Sequence, residues 1–447
     1  MIRIFQRMLN TCLTILIITL YSSNPGIAQS KLTITLDEAI KMGIEASNQM
    51  KIARGKYDYA RSKHSETYDL QYPSAKLSAG YSRLSPVPEF RVLFPGASEP
   101  QTLFPVYLNS FQNRLSLNEV IFAGFRVKNA KESADKALGA SLYDLEQDQD
   151  DVKLNIITAC FNLYKIQQAN IILDENMKLI ELRLQDVQNL ARNGMATHND
   201  ELRAELQQSN TELSKIEAVN IYQEANFSFN LLLGLPGDVE IILDTTSLFT
   251  AAASIPKDSF LRSALQNRPE VLALRLRNEA TNDNLKIAQN GALPTISAGA
   301  NLYFASPNQR YIPPTDVFHT TWDVGVTLSW DITTAFTNKH IVAENKALLD
   351  QSNAQLLQLD DGIKTEVYQS YLGYTESLEK IKVLEKAVRL AQENLMVTDS
   401  RYRNNVALLS ELTDAQTQQL QSTINLVIAK ADARISYYRL LQSAGDF

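Results

Sequence analysis

The sequence predicts a mixed fold: four strands per chain entering a membrane β-barrel that is continuous with long α-helical coiled-coil hairpins. Three observations predict it. One unit of helix, strand pair and helical hairpin occurs twice along the 447 residues. Four segments of about ten residues alternate apolar and polar side chains, the period of a strand with one apolar face. Two proline-free stretches of about seventy residues carry a seven-residue apolar repeat, the mark of coiled-coil helices.

The duplication has a fixed spacing. Pro73 falls on Pro294, Asp37 on Asp258 and Asn48 on Pro269, each 221 residues on. Further along the offset is 211: Leu117 falls on Leu328, Phe125 on Phe336, Arg192 on Arg403, Asn193 on Asn404, Ala204 on Ala415 and Gly234 on Gly445. The Pro-rich stretches 85–109 and 305–319 absorb the difference of ten, so the repeats 29–240 and 241–447 differ in one loop and keep their helical part at constant length.

Residues 1–28 read as a secretory signal: Arg3 and Arg7, then the apolar run Leu9–Leu20, then Gly26-Ile27-Ala28 before a cleavage site at Gln29. A first helix over about 37–71 ends before Pro73, and its partner over about 258–292 ends before Pro294, because proline cannot continue a helix.

The strand pairs follow, at about 75–120 and 295–331. Segment 76–83 sets Leu77, Ala79 and Tyr81 on one face, and 110–118 sets Phe111, Leu115 and Leu117. Segment 295–304 aligns Ile296, Ala298, Ala300, Leu302 and Phe304, and 321–331 aligns Trp322, Val324, Val326, Leu328 and Trp330. Such strands also suit a soluble sandwich. Their length suits a tilted membrane strand, and Trp322 and Trp330 would stand about 26 Å apart at about 3.3 Å per residue, near the spacing of two aromatic girdles. Four strands cannot close a barrel, so two copies (eight strands) or three (twelve) are required. The loop 85–109, with five prolines, is expected outside.

The hairpins run over about 125–234 and 336–444. From Val152 through Ile156, Ala159 and Leu163 to Ala191 the apolar positions step four and three, and Ile363 to Tyr402 keeps the same register. Ile157, Phe161, Tyr164 and Ile171 lie off this stripe and suggest a second packing face. No other stretch holds eighteen consecutive apolar residues, so no transmembrane helix is expected.

The formal charge of −7 argues against nucleic acid as a partner. His64, His198, His319 and His340 lack metal-ligand spacing, and no phosphate loop or nucleophile elbow occurs, so neither an enzyme, a cofactor nor a metal site is expected. Cys160, alone once the leader is removed, reads as a small buried hydrophobe.

The two hairpin tips, Leu190-Ala-Arg-Asn-Gly-Met-Ala-Thr-His-Asn-Asp-Glu-Leu-Arg-Ala204 and Arg401-Tyr-Arg-Asn-Asn-Val-Ala-Leu-Leu-Ser-Glu-Leu-Thr-Asp-Ala415, are similar to the Tyr-x-x-Gly turn and Asp/Glu-Val/Leu-x-x-Ala run of the TolC-like outer-membrane efflux proteins, the outer membrane factors. The ends Asn230-Leu-Leu-Leu-Gly234 and Leu440-Leu-Gln-Ser-Ala-Gly445 resemble that family's Leu-Leu-Gly close. The resemblance covers essentially all of the chain after the leader.

It implies a homotrimer in the cell outer membrane with a large periplasmic portion: twelve strands in one barrel and twelve helices in one tunnel. The function implied is the passive exit duct of a tripartite efflux or type I secretion system. Tips around Asn193, Gly194, Asn404 and Asn405 would dock a periplasmic adaptor coupled to an inner-membrane pump of RND or ABC type, and the strands would face outer-membrane lipid. Glu411 and Asp414 match an acidic pair at the family's periplasmic aperture, although from spacing alone two acids near a helix start can simply complement its dipole. Tyr402 and Asp200 match a link that ties this aperture shut. Ala407 stands where the family carries an Arg, which implies fewer links, and Asn405 replaces the turn glycine, tolerable because Asn reaches left-handed backbone. Asp200 and Arg203 occupy the first-repeat positions of Glu411 and Asp414. The competing reading is a periplasmic coiled-coil structural protein or adhesin with no pore.

Overall fold

Two strand pairs and two very long helical hairpins dominate a computed structural model that describes residues 31–249, 256–404 and 406–447. The expected leader 1–28 and the turn residue Asn405 lie outside the described residues. The chain opens with β1 (Lys31–Ile34), α1 (Leu36–Ala46) and α2 (Asn48–Asp69), then β2 (Ser74–Arg83), β3 (Phe90–Val92), β4 (Gln101–Phe104) and β5 (Asn109–Phe122). Helices α3 (Arg126–Arg192) and α4 (His198–Leu233) form the first hairpin. After β6 (Glu240–Leu243) and the short α5 (Thr245–Leu248), the second repeat runs α6 (Lys257–Asn267), α7 (Pro269–Gln289), β7 (Thr295–Ser306), β8 (His319–Ser329), α8 (Ile332–Arg403) and α9 (Leu409–Ala444). Among the described residues no helix is long and apolar enough to cross a membrane.

The strands form one antiparallel sheet in the order β2-β5-β7-β8. Its register repeats the duplication residue by residue. Ser74 opposite Asn118, Leu77 opposite Leu115 and Tyr81 opposite Phe111 become Thr295 opposite Ser329, Ala298 opposite Val326 and Leu302 opposite Trp322 at the two sequence offsets. The middle seam pairs Leu115 with Leu302 and Leu117 with Ala300. Alternation therefore puts Leu77, Leu115, Leu302 and Trp322 on one face, and Lys76, Arg114, Tyr303 and Asp323 on the other. Away from its rim the apolar face has no cover among the described residues: Trp322, Val324 and Val326 are 70–71% exposed. Strand β8 stops at Ser329, two residues short of the expected end. Asp331 instead accepts from the Thr333 and Thr334 amides and starts α8, and the Trp330 indole, now beyond the strand, donates to the Ala292 carbonyl at 3.0 Å.

The helices divide between two compact units that cut across the repeats, one built from 54–145 and 269–360 with the sheet, the other from the remaining described residues. With 67 and 72 residues, α3 and α8 are each about 100 Å long. Every stripe position from Val152 to Ala191 and from Ile363 to Tyr402 is buried or half-buried. Off the stripe, Ile157 and Phe161 are fully buried, whereas Ile171 is exposed. Cys160 lies among them, and burial pushes its thiol up to about 12.

Each first helix is broken, where one continuous helix was expected. In the second repeat Pro269 forces the preceding Arg268 to ψ 128°, as proline requires. In the first repeat no proline stands there, yet Ser47 takes ψ 124° and its hydroxyl accepts from the Met50 amide at 3.2 Å, a side-chain cap doing what Pro269 does by sterics. Strands β1 and β6, which pair in parallel, and the β3-β4 hairpin add elements that carry no periodic signal. In the sheet-bearing unit Asp283, fully buried, is held by Lys136 at 2.8 Å and Lys286 at 2.7 Å. Burial pushes its carboxyl up, and the two lysines together outweigh this and hold it below the usual range.

Helices α4 and α9 both have 36 residues and both end on a left-handed glycine, Gly234 at φ 72° and Gly445 at φ 70°. Each glycine seats against the break in its own repeat. A Cβ on Gly234 would lie 2.7 Å from the Ala46 Cβ, and one on Gly445 would lie 2.9 Å from the Arg268 backbone nitrogen. Gly445→Ala is accordingly expected to cost about 1–3 kcal/mol, whereas Gly362→Ala, in open space within α8, should be neutral or stabilising by up to about 1 kcal/mol. Thermal unfolding of both variants in detergent checks this, and equal melting temperatures would refute it.

Candidate functional site

The hairpin tips bring together the residues singled out in the sequence. Both tips close alike: Met195 N–H donates to Leu190 O and Val406 N–H to Arg401 O, each at 2.8 Å, positions 211 apart. Asn193 and Asn404 each turn their amide back to the carbonyl four residues earlier, at 2.8 Å in both tips. Gly194, at φ 70°, supplies the left-handed turn of the first tip. Apolar side chains are exposed just beyond these turns, Met195, Val406 and Leu408, beside the exposed polar Thr197, His198 and Asn199 of the first tip. Composition did not single them out, because isolated apolar residues in a turn carry no periodic signal.

The tips differ in what starts the returning helix. Thr197 caps α4, its hydroxyl accepting from the Asp200 amide at 3.2 Å, while the Asp200 carboxylate accepts from Thr197 N–H at 3.0 Å and from its hydroxyl at 2.7 Å. The matching residue before α9 is Leu408, which makes no side-chain cap. Glu411, the counterpart of Asp200, thus has no capping role and projects from the helix, with Arg401 at 3.6 Å. Glu411 and Asp414 are both exposed, and the buried Leu412 and Ala415 lie on the other side of α9. Only Glu411 falls in the first turn. The helix dipole therefore accounts for Glu411 better than for Asp414, since its effect fades within one turn.

Beneath the turns, Val187, Ala204 and Leu409 form a small core against which Leu184 and Tyr402 pack. Tyr402 makes no hydrogen bond to Asp200 in the single chain: Asp200 is engaged in its own cap, and the tyrosine ring lies 5.5 Å from the Arg183 guanidinium. Burial raises the Tyr402 phenol above its usual range, Arg183 opposes this, and the carboxylates of Asp200 and Asp186 add to the rise.

Near the tips, a charged pair that no residue spacing announces links the two hairpins. Arg183 on α3 holds Asp399 on α8 at 2.6 Å, and Arg403 holds the other carboxylate oxygen of Asp399 at 2.8 Å. Cations thus reach this tip from Arg401 and Arg403, although Ala407 is uncharged. The pair lines an open groove of about 570 Å³, so water moderates its strength. His198 pairs with Glu201 on the first tip, and among the described residues no group of three His, Cys, Asp or Glu could hold a metal ion.

A family model described as "Outer membrane efflux protein" matches residues 40–235 and 260–446. The outer membrane efflux protein BepC of Brucella suis biovar 1 (strain 1330) is 21% identical over 338 residues, which span 74% of this chain and 71% of BepC. Among solved structures, the outer-membrane channel OprN superposes with a TM-score of 0.75 at 19% identity, over 92% of this chain and 90% of OprN. The outer membrane protein VceC of Vibrio cholerae superposes with a TM-score of 0.74 at 15% identity, over 92% of this chain and 96% of VceC. At these identities the superpositions establish the fold.

Hydrogen bonds to charged groups contribute about 1.5–3 kcal/mol, and partial exposure lowers that here. Arg183→Met is expected to loosen the second tip by about 1–2 kcal/mol, seen as roughly tenfold faster amide exchange over 396–404. Lys382→Met, which breaks an exposed pair with Glu379, should leave those amides unchanged. Equal exchange in the two variants would remove the Arg183–Asp399 link from the account.

Proposed function

Because this chain belongs to the outer membrane efflux protein family, we propose that three copies form the passive exit duct of a tripartite efflux or type I secretion system. The observation that carries the reading is the sheet: four strands with one exposed apolar face and two open edges, β2 and β8. An open edge in hydrocarbon leaves backbone donors and acceptors unpaired, so the sheet must close. In the alternating order of the sheet, β8 runs antiparallel to β2, so a rotated copy continues the pattern and a ring results. Two copies would give eight strands, whose interior side chains fill. Three give twelve, with room for solute.

The duplication also supplies the register of the seam between copies. Carried over by the two offsets, the β5-β7 pairing sets Val326 opposite Tyr81 and Leu328 opposite Ala79 of the neighbouring copy. Trp322 and Trp330 then face lipid, Trp330 from just beyond the strand. The helices of three copies line a periplasmic tunnel, and the tips, with Asn193, Gly194, Asn404 and the exposed Met195, Val406 and Leu408, meet a periplasmic adaptor coupled to an inner-membrane pump of RND or ABC type. Three copies bring six carboxylates of Glu411 and Asp414 to one aperture, where low-dielectric walls focus the field and favour cations. Closing of that aperture is the place for a Tyr402–Asp200 contact, which requires Asp200 to leave the Thr197 cap.

Opposed residues on neighbouring strands have Cβ atoms about 4.5–5.5 Å apart. Tyr81→Cys with Val326→Cys is therefore expected to oxidise to covalent trimers in detergent, while Tyr81→Cys with Val324→Cys gives far less. A monomer that needs no detergent and conducts nothing would instead leave the non-pore coiled-coil reading. In planar bilayers, Glu411→Gln with Asp414→Asn should weaken cation preference and raise the half-blocking concentration of a trivalent cation about tenfold. Unchanged selectivity would discard the acidic ring.

A further inference from the structure

The chain carries a net charge of −7, yet the polar face of its sheet is cationic. Within β2, β5, β7 and β8 the charged side chains on that face are Lys76, Arg114 and Asp323. They sit in two adjacent rows: Ser78, Arg114, Tyr303 and Thr321 in one, Lys76, Ser116, Asn301 and Asp323 in the next. A fourth charge arrives from the loop between β7 and β8. Arg310 donates to the Trp322 carbonyl at 2.8 Å and to the Asp323 carboxylate at 2.5 Å.

That loop clasps the rim of the sheet. On the polar side Asn308 donates to the His319 carbonyl at 3.0 Å and Tyr311 stacks on His319 at 3.9 Å. On the apolar side Phe318 stacks on Phe304 at 4.7 Å. Asp316, the single acid of loop 307–318, faces Ser306 on the apolar-side register. Arg310 is thus fixed over the polar face. Arg114 is fixed too, by two bonds to the Asn301 side chain at 3.1 and 2.8 Å. Both guanidinium groups lie against the ring of Tyr303, at 5.4 and 5.1 Å from its centroid, an arrangement that holds their planes in place.

The charges do not cancel. One carboxylate faces three cations, and Asn301 joins Arg114 to Asp323 without adding charge, its amide donating to Asp323 at 2.7 Å. The Lys76 side chain is exposed on the same face. We propose that Lys76, Arg114 and Arg310, arranged with Asp323 around Tyr303, form an anion-attracting belt inside the barrel, a transient binding site for solutes bearing carboxylate or phosphate groups. The belt rests on the reading of a closed barrel with its polar face inward. Three copies then place nine cations against three acids around one lumen, where a low-dielectric wall concentrates their field. The duct would carry charges of opposite sign on its strand-borne and tip-borne portions, and multivalent anions would dwell in the barrel.

The test uses the full-length protein in planar bilayers with citrate as the probe, added to one side at a time. Wild type is expected to show block by citrate from the strand side. Lys76→Gln with Arg114→Gln, which leaves the Arg310–Asp323 clasp intact, should raise the half-blocking concentration at least tenfold and shift the reversal potential in a KCl gradient towards cations. Asp323→Asn should deepen the block, and Glu411→Gln with Asp414→Asn should leave it in place. A conducting channel whose citrate block is absent, or the same in wild type and the Lys76/Arg114 variant, overturns the belt alone. A protein that forms no channel overturns the belt together with the duct.

Discussion

A strand edge cannot be left open in hydrocarbon, and most of this architecture follows from that constraint. Four strands expose two edges, β2 and β8, and each edge carries backbone groups that only another strand can satisfy. Local folding yields two hairpins, β2-β5 and β7-β8, of identical register. The β5-β7 seam joins them within the chain. The protein resides in the outer membrane, and its long helices follow its strands directly in the chain. The coiled-coil stripes are the periplasmic counterpart of that sheet, since each long helix also needs neighbours on its apolar positions.

Duplication supplies symmetry, and small departures from it supply chemistry. Thr197 and Leu408 are equivalent positions, and their difference decides the fate of the acid three residues on. Asp200 is bound in a cap; Glu411 is exposed. Likewise Ser47 and Arg268 break equivalent helices by different means, one with a hydroxyl cap and the other through a following proline. The sheet has diverged as well, for Arg114 matches Gly325 and Asp323 matches Gln112, so neither charge has a charged counterpart in the other repeat.

Long, strongly periodic features were legible in the sequence. The heptad stripe, the four alternating strands, Gly234 and Gly445 all rest on local rules of spacing or backbone conformation. What escaped was of three kinds. Strands β1 and β6 have four residues each and pair across more than two hundred positions, too short for a period and too distant for a turn signal. Partners such as Arg183 with Asp399, or Arg310 with Asp323, depend on which faces meet after packing, and no residue spacing encodes that. The helix breaks are the third: Ser47 carries no breaker signal of its own, and the helix expected over about 258–292 ran through Pro269, where its duplicate breaks.

The glycine seats have a mechanical consequence. Gly234 and Gly445 fix one end of α4 and α9 against the broken first helices, and 36 residues separate each seat from its tip. That makes each returning helix a lever about 54 Å long. A rotation of only about 10° at the seat carries the tip about 9 Å, close to the spacing of two packed helices. Under the proposed trimer, a ring of such levers would dilate by a full helix width while its pivots, and the contacts that define them, stay in place.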